Sequence, residues 1–140
     1  MRLFLDSSVL LAAVGSESGA SRFVVENAEQ QGWILLTAPY CTAEALHNLP
    51  KFGPVSGSVW RKEIVPRLEI VPTVVSLDKA LVFPKAKDRP VVLSALAAEC
   101  EVLLTLDRKD FGRWLGRQVY SLRLLMPGDF LLEQRQAGRI

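Results

Sequence analysis

The chain is poor in the residues that mark several common kinds of site. It has one histidine, His47, and two cysteines, Cys41 and Cys100, among 140 residues. A single histidine leaves little room for a Ser/His/Asp constellation. The cysteines stand in neither a C-x-x-C nor a Cys/His metal spacing, so no zinc framework is legible, and both read as buried, reduced thiols. "GSESGAS" (15–21) lacks the Lys-Ser/Thr of a phosphate-binding loop. There is no internal repeat, no low-complexity tract and no linker. No apolar run approaches the ~20 residues that would span a bilayer. "MRLFLDSSVLLAAVG" at the start is broken by Asp6, against a signal peptide. The reading is a cytoplasmic protein with no membrane contact.

What is present is a globular composition. Hydrophobic residues make up 49% and charged residues 23%, and 140 residues favour one domain spanning 1–140. The net charge of +2 says little about partners. The distribution says more. Lys85, Lys87, Arg89, Arg108, Lys109, Arg113 and Arg117 fall within one window, with five acids. That is either a solvated surface or a rim for phosphates.

Apolar strands alternate with amphipathic helices. "RLFL" (2–5) reads as a buried strand, ended by Asp6, with Ser7 and Ser8 able to cap a helix that Gly15 stops. A second helix spans about 18–31, with Ala20, Phe23, Val24 and Ala28 on one face. "WILLTA" (33–38) is a second strand, with Trp33 as core, and Pro39 opens a helix that Pro50 ends. Residues 55–65 suggest another helix, 68–74 an edge strand because of Pro72, and 76–83 a short helix or turn. Asp88 starts a helix with Pro90 in its first turn. "CEVLLTL" is the most buried strand, "VYSLRLL" (119–125) a further strand, and Pro127 opens a last helix. The pattern predicts an α/β class, a three-layer α/β/α sandwich around a mostly parallel sheet.

In such sheets ligands bind beyond the carboxyl ends of the strands. Asp6 and Asp107 each end a strand. Asp88 opens the helix that runs back before the Asp107 strand, so it shares their edge. Glu44 lies in the first turns of its helix, on one face with Tyr40, His47 and Asn48. Each acid alone has an ordinary explanation: Asp6 and Asp88 as helix caps, Asp107 as a turn residue, Glu44 as a polar helix position. Their shared edge is what gives them weight. Clustered carboxylates need a compensating cation, and all-oxygen ligands favour Mg²⁺ or Mn²⁺. His47 reads as a polar packing residue, and Trp60 and Trp114 could stack on bases or serve an interface.

"LFLDSSVLLAA", "TAEALHNL", "KDRPVVLSALAAECEVLLTLDRKDF" and "MPGDFL" together resemble the PIN-domain family, most closely its short VapC-type toxins. The resemblance covers residues 1 to about 132. It implies a PIN-like single domain and a metal-dependent ribonuclease of a VapBC-type toxin–antitoxin pair. Its metal-binding, catalytic acids fall on Asp6, Glu44, Asp88 and Asp107. Asp110 is implied in an outer shell, and Thr105 and Ser8 beside the acids, Ser8 standing where the family often has asparagine. RNA would be guided by Arg89, Arg108 and Lys109. An antitoxin and a homodimer are the implied protein partners, with Val24 and Val25 available to an interface or to the core. The competing reading is a PIN-like module that binds RNA or protein without cutting. A receiver-like phosphoacceptor is disfavoured, because "TAPYCTAE" and "EIVPTVV" lack an acceptor aspartate.

Overall fold

The computed structural model describes residues 1–79 and 86–140. Lys85 and the second half of the expected 76–83 element lie outside the described residues, and 76–79 are irregular.

Six strands form one sheet in the order β3-β2-β1-β4-β6-β5. They are β1 (Arg2–Leu5), β2 (Ile34–Thr37), β3 (Leu68–Ile70), β4 (Val102–Leu104), β5 (Gln118–Val119) and β6 (Leu122–Leu125). All neighbours are parallel except β5 and β6. The central strands are apolar on both sides because both faces are covered. Leu3, Phe4, Leu5, Leu103 and Leu104 are all fully buried.

The helices are α1 (Ser7–Gly15), α2 (Ala20–Gln31), α3 (Pro39–Asn48), α4 (Ser56–Val59), α5 (Arg89–Ala97), α6 (Arg108–Phe111) and α7 (Pro127–Gln136). From β1 the chain steps outward through β2 to β3, then crosses back over to β4. Right-handed crossovers therefore place α1 to α3 on one face and α5 on the other. α1 packs on α2 and α3, and α2 on α7. The result is the three-layer α/β fold that the alternation of strands and helices predicts. No helix among the described residues is long and apolar enough to cross a membrane.

Four local expectations change. Ser7 and Ser8 do not cap α1; Asp6 does, its side chain accepting from the Ser7 amide. Phe23 is 41% exposed, while Ser21, Val24, Val25 and Ala28 are buried. Those four follow the i, i+3, i+4, i+7 stripe, and Phe23 falls off it. Val24 and Val25 thus belong to the core. "VYSLRLL" is not one strand. Tyr120 takes a positive φ of 54°, which folds the segment into the β5–β6 hairpin. The 55–65 helix is α4 running into a π turn (Trp60–Ile64) and a 3₁₀ turn (Val65–Arg67). This places Trp60 and Ile64 in the core. Trp33 is core as expected, edge-on to Phe130 with ring centroids 5.0 Å apart.

Candidate metal centre

The register of β1 and β4 sets the site. Leu5 pairs with Leu104, so Asp6 and Thr105 emerge side by side at the carboxyl edge. The Asp6 amide donates to the Leu104 carbonyl at 3.1 Å. The Asp6 carboxylate, 5% exposed, accepts from the Ser7 amide at 2.8 Å, the Ser8 hydroxyl at 3.0 Å and the Thr105 hydroxyl at 2.8 Å. Burial raises its pKa, and the three donors oppose that rise by favouring the charged form. Ser8 Oγ also accepts from the Leu106 amide at 3.0 Å, and Thr105 Oγ1 from the Asp107 amide at 3.1 Å. The two hydroxyls therefore clamp the turn after β4 onto Asp6.

Asp107 caps the short helix α6, its Oδ1 accepting from the Asp110 amide at 3.0 Å. That cap turns Asp110 back toward the sheet edge. Asp88, at the entrance of α5, completes a group. Asp88, Asp107 and Asp110 each offer one carboxylate oxygen, all within 4.8 Å of one another. Asp110 is buried and accepts from Lys87 Nζ at 2.9 Å. Asp88 is buried as well, and among the described residues its Oδ2 has no hydrogen-bond partner. Its pKa is pushed up to about 6, first by burial and then by the Asp110 charge, with Lys87 pulling the other way.

These acids line a cavity of about 350 Å³ together with Asp6, Ser8, Tyr40, Glu44 and Asn48. Tyr40, Glu44 and Asn48 come from one face of α3, as their spacing predicts. His47 does not share that lining: it is exposed, like Glu44, but the cavity wall passes it by. Glu44 is exposed on the wall of the cavity, not enclosed with the triad. Tyr40 Oη donates to the Lys87 carbonyl at 2.7 Å, tying α3 to the turn that carries Asp88.

The three expected RNA-guiding cations are exposed but do not line this cavity. Arg89 lines a separate hollow with Ser76, Lys79 and Leu93. Arg108 turns its Nε to Met126 Sδ at 3.3 Å. Among the described residues, Lys87 is the cation that lines the cavity and pairs with its acids. Sequence reasoning placed it on a basic rim only, although its position directly before Asp88 was the available signal.

The donors suit a hard divalent cation. They are all oxygen, they repel one another when ionised, and Asp88 holds a buried oxygen that no described residue satisfies. A softer metal finds no ligand here. Cys41, beneath Asp6, has its thiol pKa pushed up to about 12 by burial and stays neutral.

No protein-family model matches the chain, and no curated protein does. Among solved structures, the fold is similar to a chain in the crystal structure of VapBC2 from Rickettsia felis bound to a DNA fragment from their promoter. The two share 15% of their residues with a TM-score of 0.60, over 89% of this chain and 97% of that one. The likeness is one of fold.

Proposed function

We propose that the protein is a metal-dependent ribonuclease, the toxin of a VapBC-type pair. The observation that carries the reading is the Asp88–Asp107–Asp110 convergence, with one buried Asp88 oxygen unpartnered among the described residues, in a cavity that Asp6 and Glu44 also line. The similarity in fold to a chain of a VapBC2 complex supports it, as does the resemblance to PIN-domain toxins in "LLTLDRKDF". An antitoxin partner, a homodimer and a cytoplasmic location belong to the same proposal.

Mg²⁺ or Mn²⁺, once bound, supplies Lewis-acid stabilisation of phosphoryl charge and activation of water. The residues of the chain do the rest. Asp88, Asp107 and Asp110 would hold the cation, and Asp6 lines the same cavity from the end of β1. Thr105 and Ser8 hold the Asp6 carboxylate in place and favour its charged form against burial. Glu44 on α3 bounds the cavity where substrate enters. Arg89, Arg108 and Lys109, exposed outside the cavity, attract the RNA backbone. No side chain is needed as a covalent nucleophile.

The test is cleavage of RNA by purified protein freed of any partner. Cleavage should require Mn²⁺ or Mg²⁺, stop with EDTA and disappear in Asp107→Asn. RNA binding that ignores EDTA, without any cleavage, would establish the non-catalytic binding module instead. The Lys87 ammonium on Asp110 is the feature that favours that second reading, because it neutralises one acid without a metal.

A further inference from the structure

The Lys87–Asp110 contact joins two very unequal partners. The Asp110 side chain is 2% exposed and the Lys87 side chain 62%. The acid is anchored by the α6 turn, while the base is a flexible stem ending in a compact charge. The main chain of Lys87 is held separately, by the Tyr40 hydroxyl on its carbonyl. The ammonium can therefore leave Asp110 without moving Asp88, the next residue.

Buried carboxylates this close cannot all remain ionised without positive charge among them. Lys87 supplies one charge and satisfies one oxygen, leaving Asp88 Oδ2 unpartnered. A divalent cation supplies two charges and contacts carboxylate oxygens at about 2.0–2.6 Å. It would meet the ammonium over the same Asp110 carboxylate, and like charges there repel.

We propose that Lys87 is a built-in counter-ion of the acid cluster, and that a divalent cation binds by displacing its ammonium from Asp110. This rests on the metal-centre reading above. Lys87 then sets metal affinity: it holds the cluster together when no metal is bound and makes the cation compete for entry. The displaced ammonium swings to the mouth of the cavity on a pinned backbone.

The experiment is Mn²⁺ binding by the full chain, read from the free-ion electron paramagnetic resonance signal, so it needs no activity. Lys87→Met should tighten binding by about tenfold, since a nearby positive charge has gone. Lys87→Gln, read alongside with circular dichroism of both, guards against a folding defect. Lys51→Met is the charge control. Its Nζ sits on Asn48 Oδ1 at 2.9 Å, at the wall of the same cavity but off the triad. It should change affinity by less than about twofold. In an Asp110→Asn background the effect of Lys87→Met should shrink to about threefold or less, because the two groups are coupled. A Lys87→Met protein that binds Mn²⁺ no better than the wild type, or no better than Lys51→Met, overturns the role of Lys87 and leaves the metal centre standing. Absence of Mn²⁺ binding by the wild type overturns both. Binding that obeys the prediction without RNA cleavage overturns only the nuclease reading.

Discussion

The Thr105 hydroxyl and the Asp6 carboxylate, 99 positions apart in the chain, meet at 2.8 Å. The bond fastens β4 to β1 at the edge where the acids gather. Thr105 is fully buried and its oxygen also accepts from the Asp107 amide. Thr105→Val keeps the shape and removes both bonds, leaving a buried carboxylate and a half-buried amide short of partners. It should cost about 1–3 kcal/mol in urea denaturation, and Thr105→Ser should recover most of it. Cleavage should fall with the valine and return with the serine.

Asp88 carries the opposite expectation. Its Oδ2 is buried and unpartnered, so the metal-free protein holds a charge at a cost. Asp88→Asn should raise metal-free stability at pH 7.5 by about 1–2 kcal/mol while abolishing activity, a stability–function exchange of a familiar kind. Thermal unfolding with and without Mn²⁺ separates the effects: the wild type should gain stability from the ion and the variant should not.

The pH dependence follows from the same group. The folded-state pKa of Asp88 is raised from 3.8 to about 6. Between those values the folded protein keeps a proton that the unfolded chain has lost. Stability of the metal-free protein should therefore fall as pH rises from about 4 to about 6, by up to about 3 kcal/mol, then level off. Asp6, also raised, adds in the same direction. Mn²⁺ affinity should run the other way, weakening as pH falls through about 6, because the proton and the ion compete for Asp88. Chemical denaturation and Mn²⁺ titration across this range check the two slopes.

Glu44 and Asp107 should differ in weight. Glu44 is exposed on the wall, while Asp107 belongs to the triad. Asp107→Asn should lower RNA cleavage by about a hundredfold or more and weaken Mn²⁺ binding. Glu44→Gln should lower cleavage by about tenfold and leave Mn²⁺ affinity nearly intact. Initial rates and Mn²⁺ titrations of the two variants separate these effects.

Much of this geometry is legible in the sequence because the strands are short and blunt. An apolar run that stops dead at an aspartate, as at Asp6 and after Leu106, announces a strand leaving the core at an edge. Asp88 is legible through Pro90, which marks the start of α5. The adjacency of β1 and β4 is not legible; it depends on the crossover reversing direction after β3, which no local residue encodes. The family resemblance implies Asp110 only as an outer acid, whereas the cap by Asp107 goes with a position within 4.8 Å of the other two. Phe23 misleads because its hydrophobicity says nothing of its phase, which lies off the Ser21–Val24–Val25–Ala28 stripe. The hairpin at Tyr120 is hidden because a tyrosine gives no warning of a positive φ.

The pairing of β1 with β4 also has a consequence in time. A ribosome that synthesises this chain releases Asp6 about a hundred residues before Asp107. β1 can pair with β2 early, but its other edge stays open until β4 emerges. The Asp88–Asp107–Asp110 group thus cannot assemble until Asp110 has been made. It is complete only after α6 has been made, late in synthesis.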